Sequence, residues 1–224
     1  MSGQEYEKAF QYIYRLILDG TAKPGDKLPA ERAISETLGI SRNSTREALS
    51  IFLAMGMIER RQGSGNYVAG NFGPALKQMI YMMLAVNTTS QKDICMFRKH
   101  MEKAACAAID EMEKSEDWYR SLETILRTPA GTIEEEIERD RAFHYGLICE
   151  TKNTFWITIM DAVVDVYREW IDRCLRRVSE ATRSELGVVH YEILEGLKKG
   201  DMKRCNLAIE KHYAIIDTAM EVEE

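Results

Sequence analysis

Several signals are missing from this 224-residue chain, and each absence narrows what it can be. No apolar stretch approaches the ~20 residues that a membrane-spanning helix needs, so no membrane partner is expected. The N-terminus, MSGQEYEKAF, lacks the basic-then-apolar pattern of a secretory signal, and the chain is expected to stay in the cytoplasm. Cysteine is sparse: Cys95, Cys106, Cys149, Cys174 and Cys205 are odd in number and form no CxxC pair. They read as free thiols in a reducing compartment rather than a disulfide framework. Proline is scarcer still, with only Pro74 and Pro129 from residue 74 onward, so long helices can run there unbroken. Histidine occurs four times. Positive charge is also short overall, since 30 Lys and Arg face 36 Asp and Glu for a net charge of −6.

What is present is unevenly spread. Residues 1–70 hold nine basic against eight acidic residues, whereas residues 71–224 hold 21 against 28. A phosphate-binding surface therefore belongs in the first part, where a near-neutral domain can still bind DNA if its arginines share one face. With 45% apolar and 29% charged residues the composition is that of a globular protein. The length suits two domains of ~100–150 residues, and the pattern divides them as 1–72 and 73–224.

The first part reads as a winged helix-turn-helix. EYEKAFQYIYRLILD places Phe10, Ile13 and Ile17 at helical spacing, and KPGDKLP then makes a turn. ERAISETLG is a short helix with Ile34 and Leu38 four apart and Gly39 as its stop. After Ile40 alone, SRNSTREALSIFLAMG starts again with Ser41 as N-cap, turning Ala48, Leu49, Phe52 and Leu53 inward. MIERR, a QGSG tip and NYV complete a small β-hairpin wing. Arg42 and Arg46, one turn apart, share a face, and an arginine fork matches guanine O6 and N7 in the major groove. The free N–H groups of that helix end attract phosphate. Ser41, Ser44 and Thr45 stand there too, the last two short enough to meet a phosphate or a thymine methyl. Arg32 is placed to clamp the backbone, and Gly63, Ser64 and Gly65 let the wing tip approach the minor groove.

The run PGDKLPAERAISETLGISRNSTREAL…MGMIERRQGSGNYV resembles the DNA-binding domain of the GntR superfamily of bacterial regulators over nearly all of residues 10–70. The resemblance implies that Arg32, Arg42, Arg46 and the Gly63 tip are the DNA contacts. It also marks a departure, because Thr45 stands where the family often has valine or leucine and can still pack inward as they do; Ser44 is therefore the favoured phosphate contact.

The second part carries almost no strand signal. About seven helices are expected, near 75–87, 90–112, 116–127, 131–151, 153–178, 180–199 and 201–222. Their breaks fall at Asn87-Thr88-Thr89, Lys114-Ser115-Glu116-Asp117, Pro129-Ala130-Gly131, Lys152-Asn153 and Lys199-Gly200-Asp201. The fold class is mostly α: a winged helix-turn-helix followed by an all-helical bundle. Trp118, Trp156 and Trp170 read as packing anchors. Asp140 and His144 lie at i,i+4 on one helix, and His190 and His212 on the last two, which the KKGD turn makes antiparallel neighbours. These four could converge on a divalent ion, or each histidine could be an ordinary satisfied side chain; spacing alone leaves both open.

The pattern Arg98-x3-Glu102, Asp140-x2-Phe143-His144, Asn153, His190-x8-Lys-Gly-Asp-x10-His212 is similar to the FCD ligand-binding domain of the FadR-like branch, over residues ~75–222. That resemblance implies a metal held by Asp140, His144, His190 and His212, with Zn first and Ni, Mn or Fe as alternatives. It also implies a small carboxylate effector, for which Arg98 is the pairing cation. The function then expected is that of a bacterial transcriptional regulator, a repressor by default, homodimeric on a palindromic double-stranded operator and not an enzyme. Two other readings are a metal-dependent hydrolase using the Asp/His3 site and a DNA-binding module whose helical domain only dimerises.

Overall fold

The computed structural model describes residues 2–112 and 119–221, and the chain divides into two compact units, Met1–Leu76 and Lys77–Glu224. The break expected at 114–117, the helix start at 116 and Trp118 lie outside the described residues.

In the first unit α1 (Ser2–Leu18) packs on α3 (Arg42–Ala54), and α2 (Glu31–Leu38) closes the triangle. Ala9 and Ile13 of α1, Ile34 of α2 and Ala48, Leu49 and Phe52 of α3 are buried together, with the Phe10 ring stacked 4.5 Å from Phe52. Helix α2 ends where Gly39 adopts φ 61°, and α3 begins one residue past Ile40 with Ser41 as N-cap. The left-handed turn at Gly39 lets the two helices meet with so little chain between them. Strands β1 (Ile58–Arg61) and β2 (Gly65–Val68) pair antiparallel, Ile58 opposite Val68 and Arg61 opposite Gly65. Lys27 adds an isolated bridge to Tyr67, so the wing is tied back to the turn before α2.

The second unit is helical throughout the described residues: α4 (Gly73–Ala85, which starts inside the first unit), α5 (Gln91–Glu111), α6 (Arg120–Arg127), α7 (Ile133–Glu150), α8 (Thr154–Arg177), α9 (Glu180–Lys199) and α10 (Met202–Glu221). The boundaries follow from local chemistry. Ser90 with Asp93, and Thr132 with Glu135, form reciprocal capping boxes; Asn153 and Ser179 cap α8 and α9 with their side chains. Gly200, at φ 67°, ends α9 and turns the chain into α10. At Gly196 a Cβ would fall 2.8 Å from the Cys205 nitrogen, so the absence of a side chain sets how closely α9 and α10 pack. A core of Phe143, Leu147, Val163, Tyr167, Trp170, Val189, Ile193, Leu197 and Ile209, among others, fills the centre. The partly buried Trp156 packs against a smaller cluster around Ile148 and Met160. None of the five cysteines forms a disulfide. No described helix is long and apolar enough to cross a membrane.

Candidate DNA-reading surface and metal centre

Helix α3 presents Arg42 and Arg46 to solvent. Arg46 is not idle there: its Nε and Nη2 donate to Glu31 of α2 at 3.2 and 2.8 Å. Five N–H donors belong to a guanidinium, so three remain to read a base or hold a phosphate. Arg32 on α2 is exposed and pairs at 2.7 Å with Glu36 one turn on. In the wing, Gly63 and Gly65 take φ 71° and 126°, conformations that side-chain-bearing residues rarely adopt. The Ser64 hydroxyl is tied to Tyr67 at 2.6 Å.

Ser44 departs from the reading made of its chemistry, and Thr45 takes the inward alternative. Thr45 is fully buried, its hydroxyl bonded back to the Ser41 carbonyl at 3.3 Å, and so it packs inward as an aliphatic residue would. Ser44 is buried as well, donating to Glu5 at 3.0 Å and lying 2.8 Å from the exposed Ser41 hydroxyl. The physical reason is periodicity: residues 44 and 45 stand one turn before Ala48 and Leu49, on the face that meets α1. Nor is the N-terminus of α3 simply open. Ser41 Oγ accepts from the Ser44 N–H at 3.1 Å, and Glu5 of α1 accepts from the Ser41 N–H at 3.1 Å. That backbone bond, then the Ser44 hydroxyl, lowers the Glu5 pKa. Arg60 and Arg61, exposed on β1, were not singled out from the sequence although they adjoin the tip; Arg61 lies 4.0 Å over the Tyr67 ring.

In the helical unit four residues from three helices contribute to one cluster. The i,i+4 spacing on α7 points Asp140 and His144 the same way, and the α9–α10 hairpin brings His190 and His212 opposite them. One donor atom from each of the four lies within 4.8 Å of all the others. His144 Nε2 is 3.2 Å from His212 Nε2, and Asp140 Oδ1 is 3.3 Å from His190 Nε2 and 3.8 Å from the Nε2 atoms of His144 and His212. Donors bound to one ion at about 2.1 Å stand roughly 3.0–3.5 Å apart, so the set is near coordination spacing. The three histidines are buried, and His190 Nε2 has no hydrogen-bond partner, an expense that coordination would remove. Three borderline imidazoles and one hard carboxylate suit Zn, Ni or Fe and also admit Mn.

The electrostatics agree for Asp140, His190 and His212. Burial would raise the Asp140 carboxyl, but the neighbouring histidines, His144 foremost, overcome it and hold the group well below the usual carboxylate range. Burial pushes His190 and His212 down, which keeps them neutral, the state in which imidazole binds a metal. Burial would lower His144 too, but Glu102 and Asp140 outweigh it and raise it.

Arg98 of α5 is 5% exposed, its guanidinium 4.5 Å over the Tyr167 ring and its Nη2 3.6 Å from Glu102. A cavity of about 350 Å³ opens on Asp140 and His190, and Arg139, Arg183 and Tyr191 line it while Arg98 does not. Glu102, fully buried, entered the sequence reading only through the Arg98-x3-Glu102 spacing; it stands 3.0 Å from His144 Nδ1 and accepts from Tyr213 at 2.7 Å. His100 is exposed and bonded to the Met96 carbonyl, outside the cluster.

A helix-turn-helix with its arginines outward, joined in one chain to a helical ligand-sensing domain, defines a DNA-binding transcriptional regulator. Residues 5–68 match the Bacterial regulatory proteins, gntR family, and residues 93–214 match the FCD domain; the chain belongs to the GntR family of regulators, in the branch that carries an FCD effector domain. It is 30% identical to the HTH-type transcriptional regulator LutR of Bacillus subtilis over 158 residues, covering 69% of this chain and 71% of that one. To the putative L-lactate dehydrogenase operon regulatory protein of Escherichia coli it is 24% identical, over 93% of this chain and 83% of that one. A GntR structure from Streptococcus agalactiae shares the fold, with a TM-score of 0.65 at 20% identity over 94% of this chain and 98% of that one. These relatives are regulators, not enzymes, which sets the hydrolase reading aside.

Proposed function

We propose that the chain is a homodimeric regulator, a repressor by default, that reads a palindromic operator and responds to a small carboxylate completing the coordination of a divalent ion. Asp140, His144, His190 and His212 would hold the ion; when bound it supplies a Lewis-acidic centre with room for a carboxylate oxygen. The observation that carries this reading is the convergence of those four donors within 4.8 Å in a buried core. Arg98 supports the carboxylate. Its Nε is buried without a partner, as is the Tyr167 hydroxyl beside it. A divalent ion and Arg98 bring three positive charges against the two carboxylates of Glu102 and Asp140, leaving one to be balanced by a monoanion.

On the DNA side Arg42 and Arg46 enter the major groove, Arg32 holds phosphate and the Gly63-Ser64-Gly65 tip follows the minor groove. A dimer doubles the number of base pairs read. The name of the Escherichia coli relative makes L-lactate the first carboxylate to try. The test is elemental analysis of the purified chain followed by thermal unfolding with L-lactate, glycolate and acetate, since a specific ligand raises the midpoint by mass action. One divalent ion per chain and a saturable upward shift are expected. An ion-free chain that no carboxylate stabilises contradicts the reading and favours a helical unit that only dimerises.

A further inference from the structure

We infer that Glu102 is a positioning residue of the metal centre, the acceptor for the Nδ1–H of His144, and so fixes that ring with Nε2 aimed at the ion. The inference rests on the metal reading above and deepens it. His144 Nε2 is the nitrogen that faces the cluster, 3.2 Å from His212 Nε2 and 3.8 Å from Asp140. A lone pair given to a metal from Nε2 leaves the ring proton on Nδ1, and a buried N–H needs an acceptor. Glu102 Oε2 stands 3.0 Å from Nδ1, an ion-pair distance off the ideal hydrogen-bond line, and both atoms are sealed from solvent with no other partner.

Glu102 is itself held before it meets the histidine. Its other oxygen accepts from the Tyr213 hydroxyl at 2.7 Å and lies 3.6 Å from Arg98 Nη2. Three helices thus meet at one carboxylate: α5 supplies Glu102, α7 His144 and α10 Tyr213. Among the described residues no carboxylate other than Asp140 comes within ion-pair distance of His190 or His212, whereas His144 has Glu102 at its Nδ1 as well. His144 is therefore the imidazole whose orientation and basicity are backed by a second charge. Such backing is typically worth ~10- to 100-fold in metal affinity.

The competing role for Glu102 is to neutralise the buried Arg98, and the two roles separate in the readout. Zn affinity of the full chain is measured by competition with a chromophoric chelator, and the Co-loaded chain is followed by visible absorption. Thermal midpoints of the metal-free proteins are recorded in parallel. Glu102→Gln is expected to weaken Zn binding by ~10- to 100-fold and to change the Co spectrum, with Glu102→Asp restoring part of the affinity. Tyr213→Phe, which keeps the ring and loosens Glu102, should weaken Zn binding about threefold, and it carries the test should Glu102→Gln fail to fold. Unchanged Zn affinity and an unchanged Co spectrum, with a loss confined to metal-free stability, overturns the inference and leaves the metal centre standing. A wild-type chain that takes up no ion fails the metal reading and this inference together.

Discussion

In the N-terminal unit the groups suited to DNA stand in solvent and lean on carboxylates next to them, Arg46 on Glu31 and Arg32 on Glu36. In the helical unit the ionisable groups are buried, and several polar atoms, among them Arg98 Nε, His190 Nε2 and His212 Nδ1, have no partner. Exposed pairs of the first kind are worth little, so an arginine can leave its carboxylate for a phosphate or a base at small cost. Buried polar atoms cannot be left so cheaply, and an ion or ligand that satisfies them is bound for that reason. On the proposed function, one unit exchanges partners and the other is completed by one.

Substitutions should divide along the same line. The largest effect is expected from His190→Ala combined with His212→Ala, which removes two of four donors. Metal content should fall from one ion per chain to a small fraction, by elemental analysis, while binding to nonspecific DNA is retained. An ion that stays bound would break the contrast. Next comes Arg46→Ala. A guanine contact is worth ~1–3 kcal/mol, and the proposed dimer loses it at both half-sites, so specific operator affinity should drop about 30-fold or more with metal content unchanged. Wild-type affinity and sequence preference in that variant would refute the DNA assignment.

A smaller change is expected from Glu31→Gln, which frees Arg46 from its partner. Binding to arbitrary DNA should strengthen about threefold by fluorescence anisotropy, narrowing the gap to the operator, since a repelling carboxylate is gone. The smallest effect concerns Glu5. Its folded pKa is depressed by the Ser41 backbone bond, so the stability it contributes is present above its unfolded pKa, near 4.5, and is lost as pH falls through the folded value. The unfolding midpoint of the wild-type chain should therefore decline between about pH 5 and pH 3 more steeply than that of Glu5→Gln. Parallel pH profiles would show that Glu5 does not secure α3.

Local patterns made much of this legible from the sequence. The Gly39 turn, the Ser41 cap and the one-turn spacing of Arg42 and Arg46 are written within a few residues, as is the i,i+4 pairing of Asp140 with His144. The helical unit was readable through its capping residues, and the Lys-Gly-Asp turn placed His190 beside His212. Two kinds of information were harder to see. Ser44 and Thr45 were judged by their chemistry, when their register with Ala48 and Leu49 already assigned them to the inner face. Contacts between distant segments leave no local mark: Glu5 meets α3 from 39 residues before Ser44, and Glu102 meets Tyr213 across 111. Those contacts exist because the bundle closes, and no spacing rule announces them.

The measurement that tests the account most directly is operator affinity with and without a carboxylate, on DNA selected from a random pool. In the metal-loaded wild-type chain, L-lactate, glycolate or acetate should shift that affinity by ~5- to 150-fold, the usual range of coupling between two sites. The shift should vanish when His190 and His212 are both alanine. An operator affinity that no carboxylate moves, or that moves equally in the variant, would contradict it.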